Sequence, residues 1–218
     1  MNHTDRFAGK GEIYAKARPK YAAELFDDLK NRLHIPVGST FADLGSGTGI
    51  FTGQLLDCGY RVFAVEPNGD MRKKAEENLS YDKNFISVNG SDADTHLPDG
   101  SVDVVTVAQA FHWFDADAFK KECRRILKPG GKVMIVYNSR RENAACTKAL
   151  AGLRYRYNAE FHGFSNGMSE EKCIAFFAGS VICSVPTIRR SMIGRAMSTA
   201  YCLLPTLCRK VTAGMRII

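Results

Sequence analysis

The chain has 218 residues, of which 45% are hydrophobic, and it carries a formal net charge of +7. This length and composition fit one α/β domain with a sizeable core, and they include no apolar run long enough to cross a bilayer. The seven cysteines are scattered and never spaced Cys-x-x-Cys, which argues against a disulfide scaffold or a zinc site; no metal is expected.

The positive charge is confined to the C-terminal end of the chain. After Glu171 there are seven basic residues and no acidic ones, so residues 1–171 carry 23 of each sign. A neutral body argues against a nucleic-acid partner. Residues after Met1 lack the apolar stretch of a signal peptide, and the thiols are expected to be reduced. We therefore predict a cytoplasmic protein with no nucleic-acid or membrane partner.

Apolar runs of strand length alternate with amphipathic runs of helix length from about residue 20 to residue 138. The predicted elements in chain order are helix 21–33, strand 41–44, helix 50–58, strand 61–65, helix 71–79, strand 85–88, strand 102–110, helix 116–127, strand 132–137 and helix 141–157. This alternation is typical of βαβ units. It predicts a Rossmann-like, doubly wound α/β fold with a mostly parallel sheet and helices on both faces.

A glycine-rich turn follows the first predicted strand, in Phe41-Ala-Asp-Leu-Gly-Ser-Gly-Thr-Gly49. Glycines at such a turn permit a positive φ and let a ligand approach the backbone, while the helix that follows directs its N–H groups into the same space. The second strand ends at Glu66, whose two carboxylate oxygens can hold both hydroxyls of a ribose. The spacing is Gly-x-Gly-x-Gly, with Ile50 at the third glycine position of dinucleotide binders, which makes a nicotinamide cofactor less favoured.

Four motifs follow successive predicted strands: Asp43-Leu-Gly-Ser-Gly-Thr-Gly49, Val65-Glu-Pro-Asn68, Ser91-Asp-Ala-Asp94 with Leu97-Pro, and Ala108-Gln-Ala-Phe-His-Trp-Phe-Asp115. Together they resemble the motifs of class I S-adenosylmethionine-dependent methyltransferases of the small-molecule type, similar to trans-aconitate methyltransferases. Tyr14-Ala-Lys-Ala-Arg-Pro19 resembles a segment that many of these proteins carry before the first helix. The resemblance covers roughly residues 7–180.

The resemblance implies a set of cofactor-binding residues for S-adenosyl-L-methionine. They are Tyr14, Arg18, Asp43, Gly45, Ser46, Gly47, Glu66, Asn68, Met71, Asp92, Ala93 and Gln109. In this assignment Glu66 holds the ribose, Asp92 accepts the adenine amino group, and Arg18 binds the cofactor's carboxylate through its two-pronged donor set.

The acceptor side of the site is expected to be formed by His112 and Trp113. His112 is a candidate proton acceptor, with the packing of an aromatic rim as the alternative. The implied reaction is methyl transfer to a small-molecule acceptor; a carboxylate acceptor would need no base. The alternatives are a catalytically incomplete protein that only binds S-adenosylmethionine and, less favoured, an NAD-dependent oxidoreductase.

The C-terminal part departs from this family. The catalytic domain is expected to span residues 1–180, with cap elements near residues 141–178, and residues 181–218 form a basic, atypical or truncated segment. Residues 180–185 are the last predicted strand, and no strand is predicted after Pro186. The antiparallel hairpin that closes such sheets is therefore expected to be incomplete, and an unpaired sheet edge would favour a homo-oligomer.

Overall fold

The computed structural model describes residues 18–140, 145–158, 176, 182–184, 187–188 and 197–204. Its helices are α1 (Ala23–Asn31), α2 (Ile50–Asp57), α3 (Gly69–Leu79), α4 (Ala116–Ile126) and α5 (Ala145–Tyr157). Its strands are β1 (Thr40–Leu44), β2 (Arg61–Val65), β3 (Phe85–Val88), β4 (Val102–Ala108), β5 (Leu127–Arg140), β6 (Ile182–Ser184), β7 (Thr187–Ile188) and β8 (Met197–Leu204). A short 3₁₀ helix, Phe111–Trp113, precedes α4.

The strands form one sheet in the order β3-β2-β1-β4-β5-β8-β6, with β7 also paired to β8. Strands β1 to β5 are parallel to one another, whereas β8 runs antiparallel to β5, β6 and β7. The predicted Rossmann-like α/β fold is thereby confirmed, and the strand order reverses between β1 and β4.

Helices cover both faces of this sheet because the apolar side chains of each strand alternate between them. Phe41 packs in a cluster with residues of α1, α2 and α3, whereas the next residue, Ala42, packs in a second cluster that includes Phe119 and Ile126 of α4. Residues of β4 and β5 divide in the same way between the two clusters. The buried strands thus support two core layers, one on each face.

The prediction that no strand follows Pro186 was wrong. Strand β8 pairs with β5 over eight residue pairs, from Val133 with Leu204 to Arg140 with Met197. It lies between β5 and β6, so the backbone hydrogen bonds of two neighbours stabilise it whether or not its own sequence shows a strand pattern. The antiparallel hairpin is therefore present, and the edge of β5 that was expected to be unpaired is covered. Residues 205–218 lie outside the described residues.

Among the element boundaries that differ from the prediction, those of β4 and β5 have a clear structural cause. Strand β4 ends at Ala108 rather than at residue 110, because Gln109 takes a positive φ of 61° that does not continue a strand. Strand β5 begins at Leu127, where a bulge shifts its register against β4 before regular pairing resumes at Lys132. In the part of the chain that the structure describes, no helix is long and apolar enough to span a membrane.

Replacement of Gly49 by alanine tests how tightly α2 packs on α3. Gly49 has a φ of 79°, and an added Cβ would lie 2.6 Å from Leu79 Cδ1 and 3.2 Å from Ala75 Cβ. Gly100 has a φ of 57° with nothing within 4 Å of the added Cβ, so Gly100→Ala is the matched control. We expect Gly100→Ala to lower the free energy of unfolding by about 1–2 kcal/mol and Gly49→Ala by about 1–3 kcal/mol more, measured by urea denaturation. Equal losses would contradict this packing.

Candidate functional site

The loops that follow β1 and β4 diverge at the carboxyl edge of the sheet, where the strand order reverses. Ligands of open α/β sheets bind in this crevice. A cavity of about 530 Å³, including the part open to solvent, lies there. Its lining residues are Arg18, Pro19, Tyr21, Gly45, Ser46, Gly47, Thr48, Ile50, Phe51, Ala108, Gln109 and Asn138. Five of the predicted cofactor residues therefore share one cavity.

The glycine turn closes against the loop after β4. Gly45 has a φ of 67°, and a Cβ added there would lie 2.8 Å from Ala110 Cβ and 3.3 Å from Phe114 Cζ. Only glycine permits both this backbone conformation and this approach. The Gly45 N–H donates to the Val65 carbonyl at 2.9 Å, so the turn is also fixed to the end of β2.

Glu66 connects the ends of β1 and β2. Its side chain is 8% exposed, and its two oxygens accept the Gly47 and Asn68 backbone N–H groups, each at 2.9 Å. Burial raises the pKa of Glu66, while these two N–H donors and the Arg72 guanidinium act in the opposite direction. Arg72 also donates from Nη1 to the Glu66 carbonyl at 2.8 Å. The carboxylate thus has a fixed position beside the glycine turn.

Asn68 and Met71 follow Glu66 at the start of α3. The Asn68 side chain accepts the Met71 N–H at 3.0 Å and so caps the N-terminus of α3. Met71 is buried, and Asn68 is half-buried beside Glu66. Asn68 and Met71 therefore lie at the start of the helix that follows Glu66. All three were predicted to bind the cofactor.

Asp43 is fully buried between β1, α2 and β4. Thr52 Oγ1 donates to its Oδ2 at 2.6 Å and Thr106 Oγ1 to its Oδ1 at 3.1 Å. Burial raises the pKa of Asp43 to about 7; the two threonine hydrogen bonds oppose this shift and the charge of Glu66 adds to it. Neither threonine was predicted from the sequence. Thr106 is directly paired with Asp43 in the sheet, and its signal was a polar residue inside an otherwise apolar strand.

Two hydroxyl groups of the glycine turn, Ser46 Oγ and Thr48 Oγ1, are buried and have no hydrogen-bond partner among the residues that the structure describes. Both residues line the cavity, and Thr48 is 3% exposed. An unpaired buried hydroxyl costs about 1–3 kcal/mol, which a polar ligand in the cavity would offset. Thr48 was missed by the sequence analysis, although it lies inside the glycine motif.

Gln109 is held in a strained conformation at the end of β4. Its positive φ is fixed by two hydrogen bonds to β5, from its N–H to the Val136 carbonyl at 2.9 Å and from its Nε2 to the Asn138 carbonyl at 3.0 Å. Such strain persists only where the surroundings enforce it and is often found at functional sites. Asn138, which also lines the cavity, was not predicted.

Asp92 and Ala93 lie on the loop after β3, outside the cavity lining. Asp92 is half-buried, and Ala93 is exposed. Burial raises the pKa of Asp92, and its own backbone N–H and that of Asp115 counteract the shift by hydrogen bonding to the carboxylate. Asp92 is therefore positioned against the N-terminus of α4 rather than against the glycine turn.

His112 and Trp113 are half-buried on the 3₁₀ helix after β4, with ring centroids 4.6 Å apart. The Tyr137 hydroxyl lies 3.2 Å from the His112 backbone nitrogen and 3.1 Å from its Nδ1. Burial and the positive charge of Arg18 lower the pKa of His112, so the ring is neutral at pH 7. Tyr137 was not predicted from the sequence, and Tyr14 lies outside the described residues.

With this geometry established, comparison with known proteins identifies the family. The profile of the methyltransferase domain family matches residues 42–135. An uncharacterised methyltransferase of Geobacillus sp. is 32% identical over 150 residues, which cover 67% of this chain and 68% of that protein. The chain belongs to the methyltransferase family.

Some relatives are longer than this chain. An uncharacterised methyltransferase of Mycobacterium tuberculosis is 35% identical over 138 residues, which cover 63% of this chain and 54% of the relative. The chain thus matches about half of the length of that relative.

Solved structures share the fold at low sequence identity. A putative S-adenosylmethionine-dependent methyltransferase from Methanococcus maripaludis has a TM-score of 0.60 and 21% identity, with 86% of both chains covered. A Haemonchus contortus phosphoethanolamine N-methyltransferase, solved with S-adenosylhomocysteine, has a TM-score of 0.57 and 14% identity, over 84% of this chain and 52% of the other. These neighbours show the methyltransferase fold.

The high pKa of Asp43 predicts that the stability of the protein depends on pH. Between about pH 4 and pH 7 the unfolded chain loses the Asp43 proton while the folded protein keeps it, so the free energy of unfolding falls as pH rises. Relative to Asp43→Asn, we expect the wild type to lose up to about 1.4 kcal/mol per pH unit in this range and nothing further above it. Urea denaturation of both proteins from pH 5 to pH 8 measures the difference. A difference that is constant with pH would contradict the assignment.

Proposed function

We propose that this protein is an S-adenosylmethionine-dependent methyltransferase that acts on a small-molecule acceptor. One observation carries the proposal: Asp43 at the end of β1, and Glu66, Asp92 and Gln109 on the loops after β2, β3 and β4, lie at the same edge of the sheet, around the reversal of strand order. A purely structural α/β domain does not require a buried carboxylate, a strained residue and a glycine cradle at this place.

The residues at this edge fit an adenosyl cofactor. Glu66 has the position and the two oxygens needed for the ribose hydroxyls, with Asn68 and Met71 beside it for the adenine. Asp92, with the Ala93 backbone, would meet the amino edge of the base from the next loop. Ile50 stands where the Gly-x-Gly-x-x-Gly motif of dinucleotide binders has its last glycine, and this disfavours a nicotinamide cofactor.

The cavity beyond the glycine turn suits the methionine part of the cofactor. Arg18 would bind the carboxylate, and the unpaired hydroxyls of Ser46 and Thr48 offer further hydrogen bonds to it. Gly45 and Gln109 line the same space and would hold the ammonium group through their carbonyl oxygens. Asp43 lies behind the turn, where its ionised form would favour that positive charge.

The bound cofactor would supply a methyl group already activated on a sulfonium, so the protein's own task is alignment and exclusion of water. His112 is neutral and hydrogen-bonded to Tyr137, and it could accept a proton from an acceptor that must lose one. Trp113 would form an apolar wall beside it. A carboxylate acceptor would need no proton acceptor, and the cationic Arg18 near His112 favours an anionic acceptor.

The motifs around Asp43 and His112 support placement in the small-molecule group similar to trans-aconitate methyltransferases. The position of β8 beside β5 favours an active enzyme over a catalytically incomplete binding protein, because the expectation of incompleteness rested on the lack of this strand. A cytoplasmic location and a possible homo-oligomer stay predictions.

Replacement of Glu66 tests the cofactor assignment. We expect Glu66→Gln to weaken S-adenosylhomocysteine binding by roughly 10- to 100-fold, because the amide loses a charged acceptor for a ribose hydroxyl. Titration calorimetry measures the affinity, with Glu77→Gln as the control because Glu77 is an exposed partner of Lys74 on α3. Unchanged affinity in Glu66→Gln, or tighter binding of NAD than of S-adenosylhomocysteine by the wild type, would refute the assignment.

The nature of the acceptor is tested with S-adenosylmethionine labelled in its methyl group and a small-metabolite extract. We expect label to enter a small molecule and, for a carboxylate acceptor, to be released as methanol by mild alkali because the product is an ester. At a concentration of S-adenosylmethionine that saturates the variant, which compensates for the cofactor-binding role of Arg18, Arg18→Gln should still reduce this transfer by about tenfold or more, since an anionic acceptor would lose its cationic neighbour. Label that resists alkali would exclude a carboxylate acceptor, and absence of any transfer would favour the binding protein.

A further inference from the structure

Glu122 is a buried carboxylate on α4 to which the proposed reaction gives no role. Only 6% of the surface of Glu122 is exposed. A buried charge is costly unless it is paired and hydrogen-bonded, so the groups that contact it show which part of the molecule it stabilises.

The partners of Glu122 are Thr95 and Arg125. Glu122 Oε1 accepts the Thr95 N–H at 2.9 Å and the Thr95 hydroxyl at 2.5 Å. Arg125 donates from Nη2 to Oε1 at 2.6 Å and from Nε to Oε2 at 2.8 Å. Burial acts to raise the pKa of Glu122, but the hydrogen bonds from Arg125 and Thr95 outweigh burial and lower it to about 2. The carboxylate is therefore ionised at neutral pH.

Thr95 belongs to residues 89–98, called here the β3–β4 loop, which contains no helix or strand. The loop is held by hydrogen bonds within it and by hydrogen bonds from α4. Thr95 Oγ1 accepts the Leu97 N–H at 3.2 Å, and Arg125 Nη1 donates to the Leu97 carbonyl at 2.7 Å. Between them His96 has a positive φ of 57°, a conformation that a non-glycine residue rarely keeps without restraint. The Glu122–Arg125 pair thus fixes two loop residues on either side of a strained one.

The same loop carries Asp92, three residues before Thr95. The Asp92 carboxylate lies close enough to Asp115, the capping residue of α4, for the backbone and the charge of Asp115 to affect its pKa. Asp115 and Glu122 are seven residues apart, about two helical turns, so they lie on the same side of the helix. The β3–β4 loop is therefore bonded to α4 at Thr95, and Asp92 lies near the start of the same helix.

We propose that Glu122 is a positioning residue for the cofactor's adenine: together with Arg125 it holds the β3–β4 loop so that Asp92 can accept the adenine amino group. This inference rests on the proposed function, because it uses the adenine role of Asp92. Glu122 itself does not touch the cofactor and acts only through the loop.

The test is a double-mutant cycle read by calorimetry with S-adenosylhomocysteine. Glu122→Gln keeps the size of the side chain but replaces the oxygen that accepts the Arg125 Nε hydrogen bond with a second donor. We expect it to weaken binding by about tenfold in the wild-type background and by less than about twofold in an Asp92→Asn background, because interacting residues are non-additive. Thr95→Val, which removes the loop's hydroxyl contact, should show the same dependence on Asp92. Glu77→Gln is the control with no expected effect in either background.

The outcomes separate this inference from the proposed function. Failure of the wild type to bind S-adenosylhomocysteine would overturn both. If the wild type binds, an equal loss from Glu122→Gln in both backgrounds would mean a general effect on the fold and would overturn the inference alone, as would no loss at all. If Glu122→Gln does not fold, Thr95→Val decides by the same criterion.

Discussion

The burial of Asp43 is the constraint on which the site depends. A carboxylate with no exposed surface lies where the strand order reverses, and it is stable there only because Thr52 of α2 and Thr106 of β4 donate hydrogen bonds to it. These two contacts connect the first strand to the helix behind the glycine turn and to the strand across the crevice. The geometry of the cavity therefore depends on three elements, β1, α2 and β4, that are joined by hydrogen bonds to one buried carboxyl group.

Three buried carboxylates of this protein differ in pKa because their donors differ. Asp43 receives only neutral hydroxyl donors, so burial dominates and its pKa rises to about 7. Glu66 receives two backbone N–H groups with Arg72 nearby, and its pKa is still raised. Glu122 is paired directly with Arg125 and has a pKa of about 2. Asp43 and Glu66, the two carboxylates beside the cavity, are thus the ones with raised pKa values. A cationic or hydroxyl-bearing ligand would favour their ionised forms.

The carboxylates also differ in what they join. Glu66 connects the glycine turn to the start of α3, whereas Glu122 connects α4 to the β3–β4 loop. A nucleoside bound between the glycine turn and the β3–β4 loop would contact residues on either side of the C-terminal end of β2. In the methyltransferase function proposed for this protein, alignment of the cofactor is the main contribution of the chain. A set of loops fixed by buried ionic groups is suited to that task.

The sequence by itself determined the parallel part of the fold and the nucleoside side of the site. Strands β2 and β3 were predicted at their observed bounds, and the role of Gly45 in a tight turn followed from local rules. These features are local, because apolar runs, caps and glycine turns depend on residues close together in the chain.

Only the tertiary structure decided the rest. Strand β8 exists because it pairs with β5 and β6, although its own pattern did not indicate a strand. Likewise, the bonds of Asp43 to Thr106, of His112 to Tyr137 and of Glu122 to Thr95 join residues 25 to 63 positions apart. Such pairs are set by sheet register and helix docking, which no short stretch of sequence encodes.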